Sequence, residues 1–279
     1  MNYKIVVDSC GELPEGYKKD EHFESVPLEI FVDDYHILDD TSFDQAEFLR
    51  RVRESPNCPK STCPSPKRYM EAYDCEADHV YAVTLSAQLS GSCNSAQLGK
   101  KLYLEEKGEK QIHVFDSKSA SVGQTLIAMK IQEYETMGLG FQDIVDKVEA
   151  FIAGMNTSFV LETLETLRKN GRLSNIKAFI ASTLNIKPVM GATPEGMIYQ
   201  LGQARGMAHA IDKMIQDLVG KTINPQTKIF AISHCNAPER ALEALERVKG
   251  LGIFKDVFVL DTAGISSMYA SDGGIIMAV

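Results

Sequence analysis

The sequence lacks the features of a membrane-spanning or nucleic-acid-binding protein. No apolar run approaches the ~18 residues that a spanning helix needs. Basic residues are outnumbered, 29 Lys and Arg against 38 Asp and Glu, which gives a net charge of −9. Phosphate contacts need a basic face, so we expect neither a membrane span nor a nucleic acid partner. An anion would have to be held by a few placed donors.

Metal-binding and disulfide patterns are also missing. The six cysteines are scattered, and the closest pair, Cys58 and Cys63, is not a CxxC pair and has no histidine spacing to complete a zinc site. The opening residues MNYKIVVDS read as a strand rather than as a signal peptide. We therefore expect reduced thiols, a cytoplasmic location, no metal and no cofactor.

Nucleotide-binding loops are absent as well. Neither G-x-x-x-x-G-K-[ST] nor G-x-G-x-x-G occurs, and the run GSCNS lacks the second glycine of the G-x-S-x-G elbow of hydrolases. A serine-dependent acyl hydrolase using Ser90 or Ser92 stays open as an alternative. It would require a histidine within hydrogen-bond reach of either hydroxyl.

The order of elements predicts an α/β fold with two α/β domains, at residues 1–150 and 151–279. In the first half, short β-branched runs alternate with helical patterns, which predicts a parallel sheet flanked by helices. The expected strands there are Tyr3–Val7, Val26–Val32, His79–Leu85 and Gln111–Phe115. The expected helices are Phe43–Arg53, Pro66–Tyr73, Ser95–Glu106 and Val122–Met137.

The second half predicts a mixed sheet with helices. Leu161, Leu164 and Leu167 recur at helical spacing, and Thr-Pro-Glu-Gly between two strand-like runs is a hairpin signal. The expected strands are Ile186–Ala192, Met197–Leu201, Lys228–Ser233, Phe258–Leu260 and Gly274–Val279, and the expected helices are Ala208–Leu218 and Pro238–Lys249.

Loops rich in hydroxyl groups follow several strands of the first half. These loops are DSCGELP, STCPSP, SAQLSGSCNSA and DSKSAS. Loops that follow parallel strands gather at one edge of the sheet, so their donors should converge there. A single cap needs only one hydroxyl, so Ser90 and Ser92 around Gly91 favour the binding of an anion at a helix start. Asp39 and Asp40 are expected to be solvated turn acids.

Six segments, in order along the chain, resemble motifs of the DegV family of bacterial fatty-acid-binding proteins. DSCGELP resembles D-S-x-x-[DE]-L-P, and VPLEI resembles the V-P-L strand. STCPSP resembles T-S-Q-P-S, and LSGSCNSA resembles L-S-G-T-Y-x-S-A. LETLETLRKNGRLS resembles L-x-x-L-x-x-G-G-R-[IL]-S, and LNIKPVM resembles L-x-I-K-P-[IV]-[LM].

The resemblance implies a non-enzymatic carrier that holds one long-chain fatty acid between two domains and presents its carboxylate to a separate fatty acid kinase. The implied carboxylate-binding residues are Ser61, Thr62, Ser90, Gly91 and Ser92. The segments Phe179–Leu184 and Ile186–Met190 could line the acyl-chain pocket, although core packing explains the same residues. A binder of another small carboxylate remains a further alternative.

One departure from the family pattern concerns the last head-group residue. The family has a histidine in a G-x-x-x-x-H-x-G-x-G segment, whereas here Ser271 is placed at that position. We expect the Ser271 hydroxyl to donate in its stead. Arg172, at the family's G-R position, is either a solvated arginine near a helix end or a ligand contact.

Overall fold

The computed structural model describes residues 2–173 and 185–279. The strands are β1 (Tyr3–Asp8), β2 (Phe23–Val26), β3 (Glu29–Val32), β4 (Tyr35–Leu38), β5 (Lys60–Thr62), β6 (His79–Thr84), β7 (Gln111–Asp116), β8 (Thr157–Val160), β9 (Ile186–Ala192), β10 (Ile198–Arg205), β11 (Ile229–His234), β12 (Asp256–Asp261) and β13 (Ile275–Ala278). The helices are α1 (Glu15–Lys18), α2 (Gln45–Glu54), α3 (Pro66–Tyr73), α4 (Ser92–Lys107), α5 (Val122–Thr136), α6 (Phe141–Ala153), α7 (Glu165–Lys169), α8 (Met207–Lys221), α9 (Pro238–Gly250) and α10 (Gly264–Ala270).

The first sheet is parallel throughout, in the order β2-β1-β6-β7. Alternate residues of its strands point to opposite faces, so Ile5 and Val7 pack under α5 and α6, whereas Val6 packs under α3 and α4. Both faces are covered, which is why these strands are nearly continuous apolar runs. The predicted parallel sheet flanked by helices is confirmed.

The second sheet is mixed, in the order β10-β9-β8-β13-β11-β12, with only β11 and β12 parallel. The predicted hairpin joins β9 to β10, and its turn uses Gly196 at φ 88°. Helices α8 and α9 cover one face of this sheet. The opposite face turns toward the first half of the chain.

The expected strand Val26–Val32 is wrong as a single element. Val26 ends β2 opposite Asp8, and a separate strand then begins at Glu29. Pro27 between them has no N–H to donate to the ladder, so the pairing stops there. Strand β3 instead forms a three-stranded antiparallel sheet with β4 and β5, and the sequence patterns did not predict this sheet.

The helix in the leucine-rich segment is shorter than the leucine spacing predicts. Only α7 is helical, while Leu161 follows β8 directly. Leu161 and Leu167 are both buried, so they recur at helical spacing because they pack into the core rather than because they share one helix. Neither β8 nor α6 was predicted. The segment Phe179–Leu184 lies outside the described residues.

Helix α5 connects the two halves of the fold. It packs against β1 and β6 of the first sheet and against β11 and β13 of the second. Its residues from Val122 to Ala128 are buried, as expected of a helix covered on several sides. The predicted domain boundary near residue 150 falls within α6 and stays a prediction.

Candidate ligand cavity between the two sheets

An apolar cavity lies between the second sheet and the loops of the first half. Along β8 and just beyond it, Thr157, Phe159 and Leu161 line the cavity, because alternate side chains of a strand face the same side. Ile276 of β13 sits opposite Phe159 and adds to the same wall. A cavity lined mostly by apolar side chains suits the apolar part of one small amphipathic molecule.

The remaining walls come from loops and from α10. The lining residues of the first half are Cys10, Leu85, Leu89, Lys118, Ser119 and Ala120, and those of the second half also include Leu167, Arg172, Gly191, Ala192, Gly196, Ile198, Ile265, Ser266, Tyr269 and Ala270. The expectation that Ile186–Met190 could line it is not met. Val189 and Met190 are buried in the core, whereas the next two residues reach the cavity.

Polar groups gather beside the cavity where α10 approaches β5 and the segment that follows α7. The hydroxyls of Ser61 and Tyr269 are 3.2 Å apart. The Arg172 guanidinium lies 5.9 Å from the centroid of the Tyr269 ring, and its Nε donates to the Leu89 carbonyl at 3.1 Å. Arg172 is therefore a cavity residue with a cation–π contact rather than only a solvated helix-end arginine.

The loops STCPSP and SAQLSGSCNSA lie against each other, with Gly91 of the second beside Cys63 of the first. The Ser92 N–H donates to Ser90 Oγ at 3.2 Å, and the two serine hydroxyls are 3.4 Å apart. A Cβ on Gly91 would come within 3.0 Å of Cys63 Sγ, so glycine permits the loops to touch. The φ of Gly91 is −75°, which any residue can adopt, so its backbone angle does not explain the glycine.

None of the six residues expected at the head group is among the described residues that line the cavity, although Ser61 contacts the lining residue Tyr269. Thr62 follows Ser61 in β5 and is exposed, because the next side chain of a strand faces the opposite side. Ser271 lies just past α10 at φ 58°, and it is not among the described residues that line the cavity.

Tyr269 was missed by the sequence reasoning. It lies in the segment where the family histidine was sought, two residues before Ser271. On α10 the spacing of Ile265, Ser266, Tyr269 and Ala270 is that of one helix face, and all four line the cavity. That spacing is the signal that could have found Tyr269, had the helix been predicted.

Two buried aspartates organise the loops around the cavity. Asp8 accepts hydrogen bonds from the Leu85 N–H at 2.8 Å and from the Gln124 amide at 2.9 Å. Burial raises the pKa of Asp8 to about 6, although these hydrogen bonds oppose the shift. Asp8 therefore joins β1 to the loop after β6 rather than capping the next helix.

Asp39 is also buried, contrary to the expectation of a solvated turn acid. It accepts from the N–H groups of Gly264 at 2.6 Å and Ile265 at 2.9 Å, at the start of α10. Burial raises the pKa of Asp39 to about 6. Asp39 thus fixes the helix that carries Tyr269.

Glu12 forms a polar link between the two halves of the chain. Ser121 donates its hydroxyl to Oε2 of Glu12 at 2.7 Å and is also 2.7 Å from the hydroxyl of Ser233. The N–H of Ala263 donates to Oε1 at 3.3 Å. Burial raises the pKa of Glu12 to about 7, against the hydrogen bonds of the serine hydroxyls.

Three features of other kinds of site are missing from the described part of the chain. Among residues 2–173 and 185–279, no hydrogen bond joins Ser90 or Ser92 to a histidine. The same part of the chain holds no group of three or more metal-ligating side chains. It also contains no helix with the length and apolar character to cross a membrane.

Comparison with known proteins agrees with the motifs. A family model described as an uncharacterised protein of the DegV family matches residues 2–275. The chain belongs to the DegV family. A DegV domain-containing protein of Streptococcus pneumoniae is 34% identical over 281 residues, covering 99% of this chain and 98% of that protein.

Two solved DegV-fold structures match over the full length. A DegV family protein from Ruminococcus gnavus with vaccenic acid is 53% identical with a TM-score of 0.97, covering 100% of this chain and 99% of that one. The Streptococcus pneumoniae fatty acid kinase (Fak) B3 protein loaded with linoleic acid is 32% identical with a TM-score of 0.89 and the same coverage. Both match the mixed α/β architecture described above.

Proposed function

We propose that this DegV protein binds one long-chain fatty acid in the cavity between its sheets and acts as a carrier. The observation that carries the proposal is an apolar cavity between the two halves of the chain, with the Tyr269 and Ser61 hydroxyls and the Arg172 guanidinium gathered together. The bound fatty acids of the similar Ruminococcus gnavus and Streptococcus pneumoniae proteins support it.

The acyl chain supplies most of the binding free energy. Each methylene removed from water is worth ~0.8 kcal/mol, and the wall formed by Phe159, Leu161, Ile265 and Ile276 offers it an apolar surface. A short carboxylate would leave most of that wall unfilled, so the geometry favours a long chain over another small carboxylate.

The carboxylate is placed at the end where Ser61 and Tyr269 meet. Arg172 supplies a positive charge beside the ring, and its Nε donates to the carbonyl of Leu89, next to Ser90. Burying an unpaired carboxylate costs several kcal/mol, which these donors offset. Thr62, Ser90, Gly91, Ser92 and Ser271 remain head-group predictions, since none of them is among the described residues that line the cavity.

The proposed carrier hands its ligand to a separate fatty acid kinase. The similar Streptococcus pneumoniae protein is named as a fatty acid kinase B protein, which supports this step. The proposed head-group end also lies near the surface, since Ser61, Arg172 and Tyr269 are only half-buried. A serine hydrolase is not favoured, because the described histidines bond elsewhere, for example His79 to Glu135 at 2.7 Å.

The proposal is tested by denaturing the purified protein, extracting it and identifying the lipid by mass spectrometry. We expect one long-chain fatty acid in near-stoichiometric amount. The loaded protein, mixed with a fatty acid kinase, Mg²⁺ and ATP, should yield an acyl phosphate. Absence of fatty acid from the extract, together with no binding of added fatty acid, would refute the carrier function. A loaded protein that gives no acyl phosphate would refute only the transfer step.

Replacing Tyr269 by phenylalanine removes one head-group hydroxyl and keeps the ring over which Arg172 lies. Hydrogen bonds to charged groups contribute about 1.5–3 kcal/mol, so we expect Tyr269→Phe to weaken fatty acid binding about tenfold. Equilibrium binding of a fluorescent fatty acid measures the effect. Tyr134→Phe, in the core beside α6 and away from the cavity, is the matched control. Equal affinities of the two variants would remove Tyr269 from the head-group site.

A further inference from the structure

We propose that the cavity contains a second polar subsite, which takes an oxygen substituent on the distal half of the acyl chain. This inference rests on the proposed fatty acid function. The subsite consists of the hydroxyls of Ser119 and Thr157, which lie 2.6 Å apart and both line the otherwise apolar cavity. Ser119 comes from the loop before α5 and Thr157 begins β8, so each half of the chain contributes one hydroxyl.

The pair lies away from the head group. Thr157, Phe159 and Leu161 face the cavity in succession, and at ~3.3 Å per residue Leu161 lies about 13 Å beyond Thr157. Ile275 of β13 pairs with Val160, beside Leu161, and follows the end of α10 by five residues, so Tyr269 on α10 lies toward the Leu161 end of β8 rather than the Thr157 end. A ligand with its carboxylate beside Tyr269 therefore brings the later part of its chain toward Thr157.

The hydrogen bonds of the Ser119–Thr157 pair leave one hydroxyl proton without a good acceptor. Two hydroxyls have two protons, and their mutual bond uses one. If Thr157 donates it, the Ser119 proton has only the Ala120 carbonyl, at 3.4 Å. If Ser119 donates it, no acceptor for the Thr157 proton is found among the described residues. A ligand oxygen in the cavity would give that proton a short acceptor.

Gly123, in the first turn of α5, leaves the space that the hydroxyls of Ser119 and Thr157 occupy. A Cβ on Gly123 would come within 2.0 Å of Ser119 Oγ and 3.2 Å of Thr157 Oγ1, so the first turn of α5 has to carry glycine there. The pair is thus built into the junction of α5 and β8. A hydroxyl on a bound acyl chain would lose water on entering the cavity, and without a partner this costs about 1–3 kcal/mol. The pair removes that cost only for substituents that reach it.

The ligand class is therefore a long-chain fatty acid with a hydroxyl or oxo group on its distal half. The test compares the affinities of 12-hydroxystearate and stearate in the wild type and in Thr157→Val, which keeps the shape and removes the hydroxyl. We expect the preference for 12-hydroxystearate over stearate to fall about fivefold in Thr157→Val, as one hydrogen bond is lost. Thr157→Ser, which retains a hydroxyl, should keep the wild-type ratio.

Two further measurements separate the outcomes. 2-Hydroxystearate carries its oxygen beside the carboxylate, so its affinity relative to stearate should not respond to Thr157→Val. Ser119→Ala offers the same comparison should Thr157→Val not fold. An unchanged 12-hydroxystearate-to-stearate ratio in these variants would overturn the subsite while leaving fatty acid binding in place. If the wild type bound neither lipid, the proposed function itself would fall and the subsite with it.

Discussion

Tryptophan in place of Ala120 is expected to empty the cavity of lipid. Ala120 is half-buried, lines the cavity and packs against its apolar wall. An indole at this position would project into the space that the acyl chain occupies, so ligand and side chain would compete for the same volume. We expect the fatty acid extracted per protein chain to fall about tenfold or more, because the methylenes that supply most of the affinity lose their contacts.

The control for this change is Ala153→Trp. Ala153 is exposed at the end of α6, so a tryptophan there adds the same side chain without entering the cavity. Both variants are compared by mass spectrometry of the extracted lipid and by thermal unfolding. Ala120→Trp should lose lipid yet remain folded. Full lipid occupancy in a folded Ala120→Trp protein would place the acyl chain elsewhere.

The free energy of unfolding is expected to decrease as the pH rises from about 5 to 8. The pKa of Glu12 is about 7 in the folded protein against an ordinary value of 4.5, so the folded state retains a proton that the unfolded state loses. The resulting stabilisation is fully present below about pH 4.5 and disappears as the pH passes 7. At about 1.4 kcal/mol per pKa unit it amounts to about 3 kcal/mol. Asp8 and Asp39 act with the same sign, and their contributions disappear near pH 6.

The variant Glu12→Gln isolates the contribution of this carboxyl group. Glutamine has nearly the same shape as glutamate and does not titrate. The decrease in the free energy of unfolding between about pH 6 and 8 should therefore become shallower in Glu12→Gln. Urea unfolding at constant ionic strength over a pH series measures the slope. Glu195→Gln, in the exposed β9–β10 turn, should leave the slope unchanged. If Glu12→Gln and the wild type had parallel pH profiles, Glu12 would not be the proton-binding group.

Local patterns predicted most of the strands and helices. Runs such as Tyr3–Val7 and His79–Leu85 coincide with β1 and β6 because strands buried on both faces are apolar along their whole length. The wrong predictions occur where one local pattern of apolar residues fits two different structures. The leucines from Leu161 to Leu167 fit a helix equally well, but they are apolar because the cavity and the core need them.

The buried carboxyl groups could not have been found from the sequence. Asp39 is separated from Gly264 by 225 positions, and nothing in ILDD indicates that its first aspartate caps a distant helix. Glu12 likewise meets Ser121 only because β1 and α5 pack side by side. Whether such an acid is solvated or buried depends on long-range packing, which also determines the pKa.

The sequence by itself determined the family, most strands and helices of the two larger sheets, and the presence of loops rich in hydroxyl groups, because short contiguous patterns encode each of these. Only the tertiary structure decided which hydroxyls face the ligand cavity. Ser61 contacts the cavity residue Tyr269 whereas Thr62 is exposed, and Tyr269 lines the cavity while Ser271 lies past the end of the helix. One residue of strand reverses a side chain and one residue of helix turns it by about 100°, so motifs that place a loop correctly still leave its contacts to the fold.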